Sequence, residues 1–206
     1  MSTKTLDFWF EFASSYSYLS VMRIEPLARA AGVTVNWRPF LLGPVFLSLG
    51  WNDSPFNIYP PKGRYMWRDL ARLAARYGLP FQVPSRFPRN GLLAARVALV
   101  GADEPWIGDF ARAAMSANFA DDLDIADPAV IHRLLAGLGL PADAVLAAAN
   151  SADSKLALRR QTERATELGM FGAPSFIAPD GELFWGNDRL EQALEWAGAG
   201  PANSMA

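Results

Sequence analysis

The chain has 206 residues, 51% of them apolar and 19% charged, with a formal net charge of −2. This composition supports a sizeable core and excludes global disorder, and so small a charge gives no electrostatic reason to expect nucleic acid or an anionic membrane as partner. There is no cysteine and one histidine, His132, which excludes disulfides, thiolate metal sites and a protein thiol nucleophile and leaves a Ser-His-Asp triad or a multi-histidine metal site without its usual parts.

Leu6 to Phe12 (LDFWFEF) is a short aromatic run of the kind that forms a strand buried on both faces. Asp7 and Glu11 interrupt any leader-like apolar core, and no run approaches the ~20 residues of a membrane span, so a cytoplasmic location is the expectation. After Ala13-Ser14-Ser15, the apolar residues from Tyr18 to Ala28 recur at helical spacing up to Gly32, with Pro26 expected to kink that helix or remove a hydrogen bond. Val33 to Phe40 alternates as a second strand, and a right-handed crossover makes the two strands parallel. Leu41 to Lys62, rich in Gly and Pro, reads as a long structured loop. Helical periodicity then predicts helices over about 64–77, 90–101, 105–118, 128–138, 142–149 and 153–168. Ser175–Ala178 and Glu182–Trp185 read as a hairpin closed by Pro179-Asp180-Gly181, Asp188–Ala197 as a last amphipathic helix, and Gly198–Ala206 as a frayed tail.

Four short motifs can carry chemistry. Glu11 to Tyr18 lies where a strand hands over to a helix, so unpaired N–H groups and the helix dipole attract an anion there. A serine hydroxyl in that place can donate to a thiolate or a carboxylate, although on position alone Ser14 or Ser15 reads first as a plain helix cap. In Phe171-Gly172-Ala173-Pro174-Ser175-Phe176, a cis Ala173–Pro174 bond would leave the backbone of Ala173 free to pair with an extended peptide; the other reading is an edge-strand proline. In Trp185 to Arg189, Asn187 or Asp188 caps the last helix, and Asp188 can also meet an ammonium group. Lys62, beside Gly63 and downstream of Asn52 and Asn57, is either solvated or holds a carboxylate. The aromatic stretch Trp51–Tyr59, with Trp67, offers an apolar lining. Asp121, Asp122, Asp124 and Asp127 lack the spacing and glycine of a calcium loop and read as a solvated acidic turn, and His132 falls inside a helix as a packed or surface residue.

The order of these motifs, from FWFEFASSYSYL to FGAPSF and GELFWGNDRL, resembles one branch of the thioredoxin superfamily: the 2-hydroxychromene-2-carboxylate isomerases and kappa-class glutathione transferases. The resemblance spans nearly the whole chain. It implies an α/β thioredoxin-like fold (β-α-β … β-β-α) of the DsbA type, as a single domain over residues 1–206 with an all-helical insertion at about 63–155. In that family a serine replaces the first cysteine of the redox motif and contacts the sulfur of glutathione. By position this is Ser14, but the family's usual following proline and preceding aspartate are Ser15 and Glu11 here, so Ser15 and Ser17 stay open as alternatives.

The resemblance further implies that Ala173, before cis Pro174, pairs its backbone with glutathione. Asn187 and Asp188 would hold the γ-glutamyl end, Lys62 would meet the glycyl carboxylate, and Asn52 would help anchor the peptide. Arg89 and Asn90, in FPRNGLLAAR, resemble the site wall that meets a small aromatic substrate. The implied activity is a glutathione-dependent cis-trans isomerase acting on 2-hydroxychromene-2-carboxylate-like catabolites, with no metal. A kappa-class-like transferase and a non-catalytic thioredoxin-like peptide-binding domain are the alternatives. Many relatives are dimers, so a homodimer belongs among the expectations.

Overall fold

Strand β1 (Thr5–Phe10) is the axis of the structure, a computed structural model that describes residues 4–199. Alternate side chains of a strand leave opposite faces, and in β1 both faces are covered. Leu6, Phe8 and Phe10 are fully buried in the main core, where Phe8 stacks on Phe176 with ring centroids 5.3 Å apart. Trp9 joins a smaller cluster with Phe40, Val45, Ala165 and Met170. The two-sided burial of Phe8–Phe10 is why that half of the strand is aromatic, whereas Thr5 and Asp7 before it are half-buried and polar.

Helix α1 (Ser15–Ala31) follows and ends at Gly32, whose φ of 65° is the left-handed conformation that closes helices. The helix continues through Pro26, which is exposed. Strand β2 (Thr34–Pro39) then pairs parallel to β1, from Thr5 opposite Thr34 to Phe10 opposite Pro39, as the crossover requires. Eight helices follow: α2 (Leu42–Ser48), α3 (Pro55–Ile58), α4 (Pro60–Tyr77), α5 (Leu92–Val100), α6 (Ile107–Phe119), α7 (Pro128–Gly137), α8 (Ala142–Ala149) and α9 (Ala152–Glu167). The chain returns to the sheet as β3 (Ser175–Ile177) and β4 (Leu183–Trp185), and closes with a 3₁₀ turn (Asn187–Arg189) and α10 (Leu190–Ala199). The sheet order is β2-β1-β3-β4, with β3 antiparallel to both neighbours. Gly198 and Ala199 thus belong to α10; residues 1–3 and 200–206, which include the rest of the expected tail, lie outside the described residues. Among the described residues no helix is long and apolar enough to cross a membrane.

The expected long loop over 41–62 is the main correction to the element order. It contains α2, α3 and the first turn of α4. Its prolines do not break these helices, because Pro44, Pro55, Pro60 and Pro61 all sit in first turns, where a backbone N–H has no intrahelical partner to lose. Lys62 is therefore a first-turn residue of α4 and not a loop residue.

The meeting of α3 and α4 depends on one glycine. A Cβ on Gly63 would lie 2.3 Å from the carbonyl oxygen of Phe56, a backbone atom with no freedom to swing away. Gly63→Ala is expected to lower stability by about 1–3 kcal/mol by overpacking. At Gly137, an added Cβ meets nothing within 4 Å, so Gly137→Ala should leave stability unchanged or raise it. Thermal denaturation of the two variants checks the contrast, and equal Tm values would refute the close packing of α3 on α4.

Candidate active site

The turn between β1 and α1 builds one wall of a large cavity. The Ser14 N–H donates to the Glu11 carbonyl at 3.0 Å, which tightens the turn. Ser14 adopts the extended conformation of an N-cap (φ −80°, ψ 117°), and its Oγ accepts from the Ser17 N–H at 3.2 Å. The same hydroxyl donates to the carbonyl of Ala173 at 2.9 Å, 159 positions along the chain. Ser14 thus joins the mouth of α1 to the segment that opens β3. The Ala173–Pro174 peptide bond is cis. Gly186 N–H donates to the Pro174 carbonyl at 2.9 Å, holding the segment against the end of β4.

The two neighbouring serines face elsewhere. Ser15 Oγ lies 3.0 Å from the sulfur of Met66, and Ser17, fully buried, lies 3.5 Å from the Glu11 backbone N–H. Ser14 and Ser15 line the cavity; Ser17 does not.

The cavity encloses about 1100 Å³. Ala173, Asn187, Asp188, Asn52 and Lys62 all border it together with Ser14, so five residues named from the sequence meet the serine in one space. Pro174 is buried just behind Ala173. Asn187 is 3% exposed, and its Oδ1 accepts from Ser20 Oγ at 3.0 Å and from an Arg23 guanidinium N–H at 3.2 Å. Those bonds orient the amide. Arg23 is itself fixed by Glu191 and by the Tyr77 ring, whose centroid is 3.8 Å from the guanidinium carbon. Sequence reasoning missed this support because Arg23 lies 164 positions from Asn187 and belongs to no motif. Asp188 is exposed beside Arg189, and Lys62 is exposed with its ammonium 5.7 Å from the centre of the Phe56 ring.

Arg89 also borders the cavity, but its guanidinium is committed to the protein. One terminal nitrogen donates to the backbone and side-chain oxygens of Asn118 at 3.2 and 3.1 Å; the other reaches Ser85 Oγ, the Asp122 carbonyl and the Asp122 carboxylate. With 4% of its side chain exposed, Arg89 braces the wall. The expected acidic turn is thereby tied down: Asp122, at φ 55°, also accepts from the Ser85 N–H, and its pKa is lowered by that bond first and by Arg89 next. Asn90 is exposed, with Oδ1 accepting from the Leu92 N–H at 2.9 Å. Of the aromatics expected to line an apolar pocket, Trp51 and Phe56 border the cavity, whereas Trp67 packs behind it on Phe81 and Phe87. Phe171 and Trp185 form an exposed edge-to-face pair at the rim, with centroids 4.7 Å apart. His132 is outside the cavity, 3.3 Å from Asp143.

A sheet of order β2-β1-β3-β4, a helix mouth carrying a hydroxyl and a cis-proline beside it define a thioredoxin-fold protein of the DsbA type with no cysteine. Residues 5–195 match the family model described as a DSBA-like thioredoxin domain. The chain is 33% identical to a 2-hydroxychromene-2-carboxylate isomerase of Sphingobium xenophagum, covering 92% of this chain and 95% of that one. It is 26% identical to glutathione S-transferase kappa 2 of Caenorhabditis elegans, covering 94% and 91%. A solved 2-hydroxychromene-2-carboxylate isomerase superposes with a TM-score of 0.83 at 26% identity, over 95% of each chain. The chain belongs to the family of 2-hydroxychromene-2-carboxylate isomerases and kappa-class glutathione transferases, within the DsbA-like thioredoxin proteins.

Proposed function

We propose that the protein is a glutathione-dependent cis-trans isomerase acting on 2-hydroxychromene-2-carboxylate-like aromatic catabolites, with Ser14 holding the sulfur. One observation carries the reading: the Ser14 hydroxyl, at the mouth of α1, touches the carbonyl of Ala173 inside a cavity that also holds Lys62, Asn187 and Asp188. The donor set fits glutathione. Lys62 is a cation for the glycyl carboxylate, Asp188 an anion for the γ-glutamyl ammonium, and Ala173 a backbone edge for the peptide once Ser14 releases its carbonyl. Asn52 is a further polar anchor on the wall.

Bound glutathione would supply a thiolate that adds reversibly to an unsaturated carbonyl compound, so that the former double bond can rotate. The residues of the chain account for the rest. The Ser14 hydroxyl turns from the Ala173 carbonyl to the sulfur, and that carbonyl is left to accept a peptide N–H in exchange. The helix mouth adds its dipole to the same spot. The apolar rim of Phe171, Trp185 and Trp51 shields the aromatic substrate from water.

A free thiol with pKa ~8.5 is about 3% ionised at pH 7. Ultraviolet difference spectra of protein plus glutathione are therefore expected to develop a thiolate band at pH 7, and no band would sink the reading. The kappa-class relatives favour one second reading, a transferase. Glutathione recovered unchanged after many turnovers supports the isomerase, and its stoichiometric consumption supports the transferase.

A further inference from the structure

Glu11 is the one acidic side chain at the cavity wall that is buried, with 7% of its surface exposed. It sits three residues before Ser14, in the turn that Ser14 closes by donating to the Glu11 carbonyl. Opposite it is Gly91, where an added Cβ would lie 3.0 Å from Glu11 Oε1 and 3.1 Å from Phe12 Cβ. The glycine thus leaves the carboxyl its room. Among the described residues no cation is paired with it. Arg89, two residues before Gly91, is taken up by Asp122, Asn118 and Ser85. On the α1 and α4 side, Asp69 is held by Tyr16 and Arg72, and Lys62 is at the exposed rim. Arg189, at the far wall, pairs with Asp188. A carboxyl without a counter-charge in such a place avoids ionisation. Burial raises its pKa to about 8, with only a hydrogen bond from the Ala13 backbone pulling the other way.

We propose that Glu11 is the general acid and base of the reaction, donating its proton to the carbonyl oxygen of the unsaturated substrate and taking it back as the product forms. As charge develops on that oxygen, the Glu11 O–H bond breaks with its electron pair staying on the carboxylate, and a lone pair of the substrate oxygen takes the proton. The return step reverses both changes, so no proton is consumed over a cycle. A neutral Glu11 also adds no negative charge of its own beside Ser14 to repel a thiolate. This role rests on the isomerase reading above.

Glu11→Gln tests it, because glutamine keeps the shape of the neutral acid and cannot release a proton. Infrared spectra at pH 6.5 should show a protonated carboxyl band in the wild type that is absent from E11Q. Glutathione should bind both proteins within about threefold by calorimetry, with the thiolate band preserved. The kcat of E11Q should fall by about 10²–10⁴, the usual contribution of a positioned acid or base, while KM for glutathione holds. The wild-type rate should decline on the alkaline side near pH 8, and E11Q should lose that decline. Glu11→Asp retains an acid one methylene shorter, so its kcat should fall while the alkaline decline persists; an E11D without that decline overturns the role even where E11Q does not fold. A wild type without the carboxyl band, an E11Q with wild-type kcat, or parallel loss of kcat and glutathione binding each overturns the role of Glu11 alone. A wild type that fails to bind glutathione overturns the isomerase reading, and this role with it.

Discussion

Ser14→Ala should lower isomerase turnover at pH 7 by about 10- to 100-fold, with glutathione still bound. Moving a thiol from ~3% to mostly ionised at pH 7 takes a pKa shift of ~2 units, or about 2.7 kcal/mol of preference for the thiolate. A hydrogen bond to a charged group contributes ~1.5–3 kcal/mol, and the helix mouth adds ~0.3–1 kcal/mol more. The hydroxyl of Ser14 is not idle beforehand, since it donates to the Ala173 carbonyl at 2.9 Å. Its gain on turning to sulfur is the difference between the two bonds, which places the effect within the stated range. The variant also loses the N-cap bond to the Ser17 N–H, at a cost of about 1 kcal/mol of stability. Thiolate absorbance and kcat measured together separate the two losses. Ser15→Ala is the decisive companion, because Ser15 Oγ faces the Met66 sulfur. If Ser15→Ala abolishes the band and Ser14→Ala does not, the sulfur belongs at Ser15.

Stability against pH should show an equally large effect at Glu11. The carboxyl titrates near pH 8 in the folded protein, because burial penalises its charged form, against 4.5 for the unperturbed group. Between these values the unfolded chain has released a proton that the folded chain keeps. The unfolded state then binds fewer protons, so stability falls as pH rises. The contribution is fully present below pH 4.5 and is gone once pH passes 8. Relative to E11Q, the wild type should lose up to about 5 kcal/mol of unfolding free energy between pH 4 and pH 9 from this one group. Urea denaturation of both proteins across that range measures the difference directly. Two parallel stability curves would mean that Glu11 is ionised and solvated in the folded state.

The strands and most helices were legible because their signals are local. β1 and β2 announced themselves by aromatic and alternating runs, and α7 by Asp127 before Pro128, whose carboxylate accepts from the Ala129 N–H at 2.8 Å as an N-cap should. The short helices α2 and α3 were not legible. At seven and four residues they are too brief for a period to register, and their prolines imitate a loop. The candidate site divides in the same way. Ser14, Ala173, Pro174, Asn187 and Asp188 lie at ends of elements, where turn and cap chemistry marks residues in the sequence itself. The bracing role of Arg89 and the support of Asn187 by Arg23 join residues 29 to 164 positions apart, and no local pattern encodes such pairs.

By itself the sequence determined the order of the strands and of the longer helices, the absence of any cysteine and the serine at the helix mouth, since these depend on periodicity, composition and neighbours along the chain. Only the tertiary structure decided which hydroxyl meets Ala173, that Arg89 is tied up in the wall, and that Glu11 is buried at the cavity wall with no cation beside it among the described residues. Desolvation and hydrogen-bond partnership are set by what folds against a residue, and those neighbours arrive from distant parts of the chain.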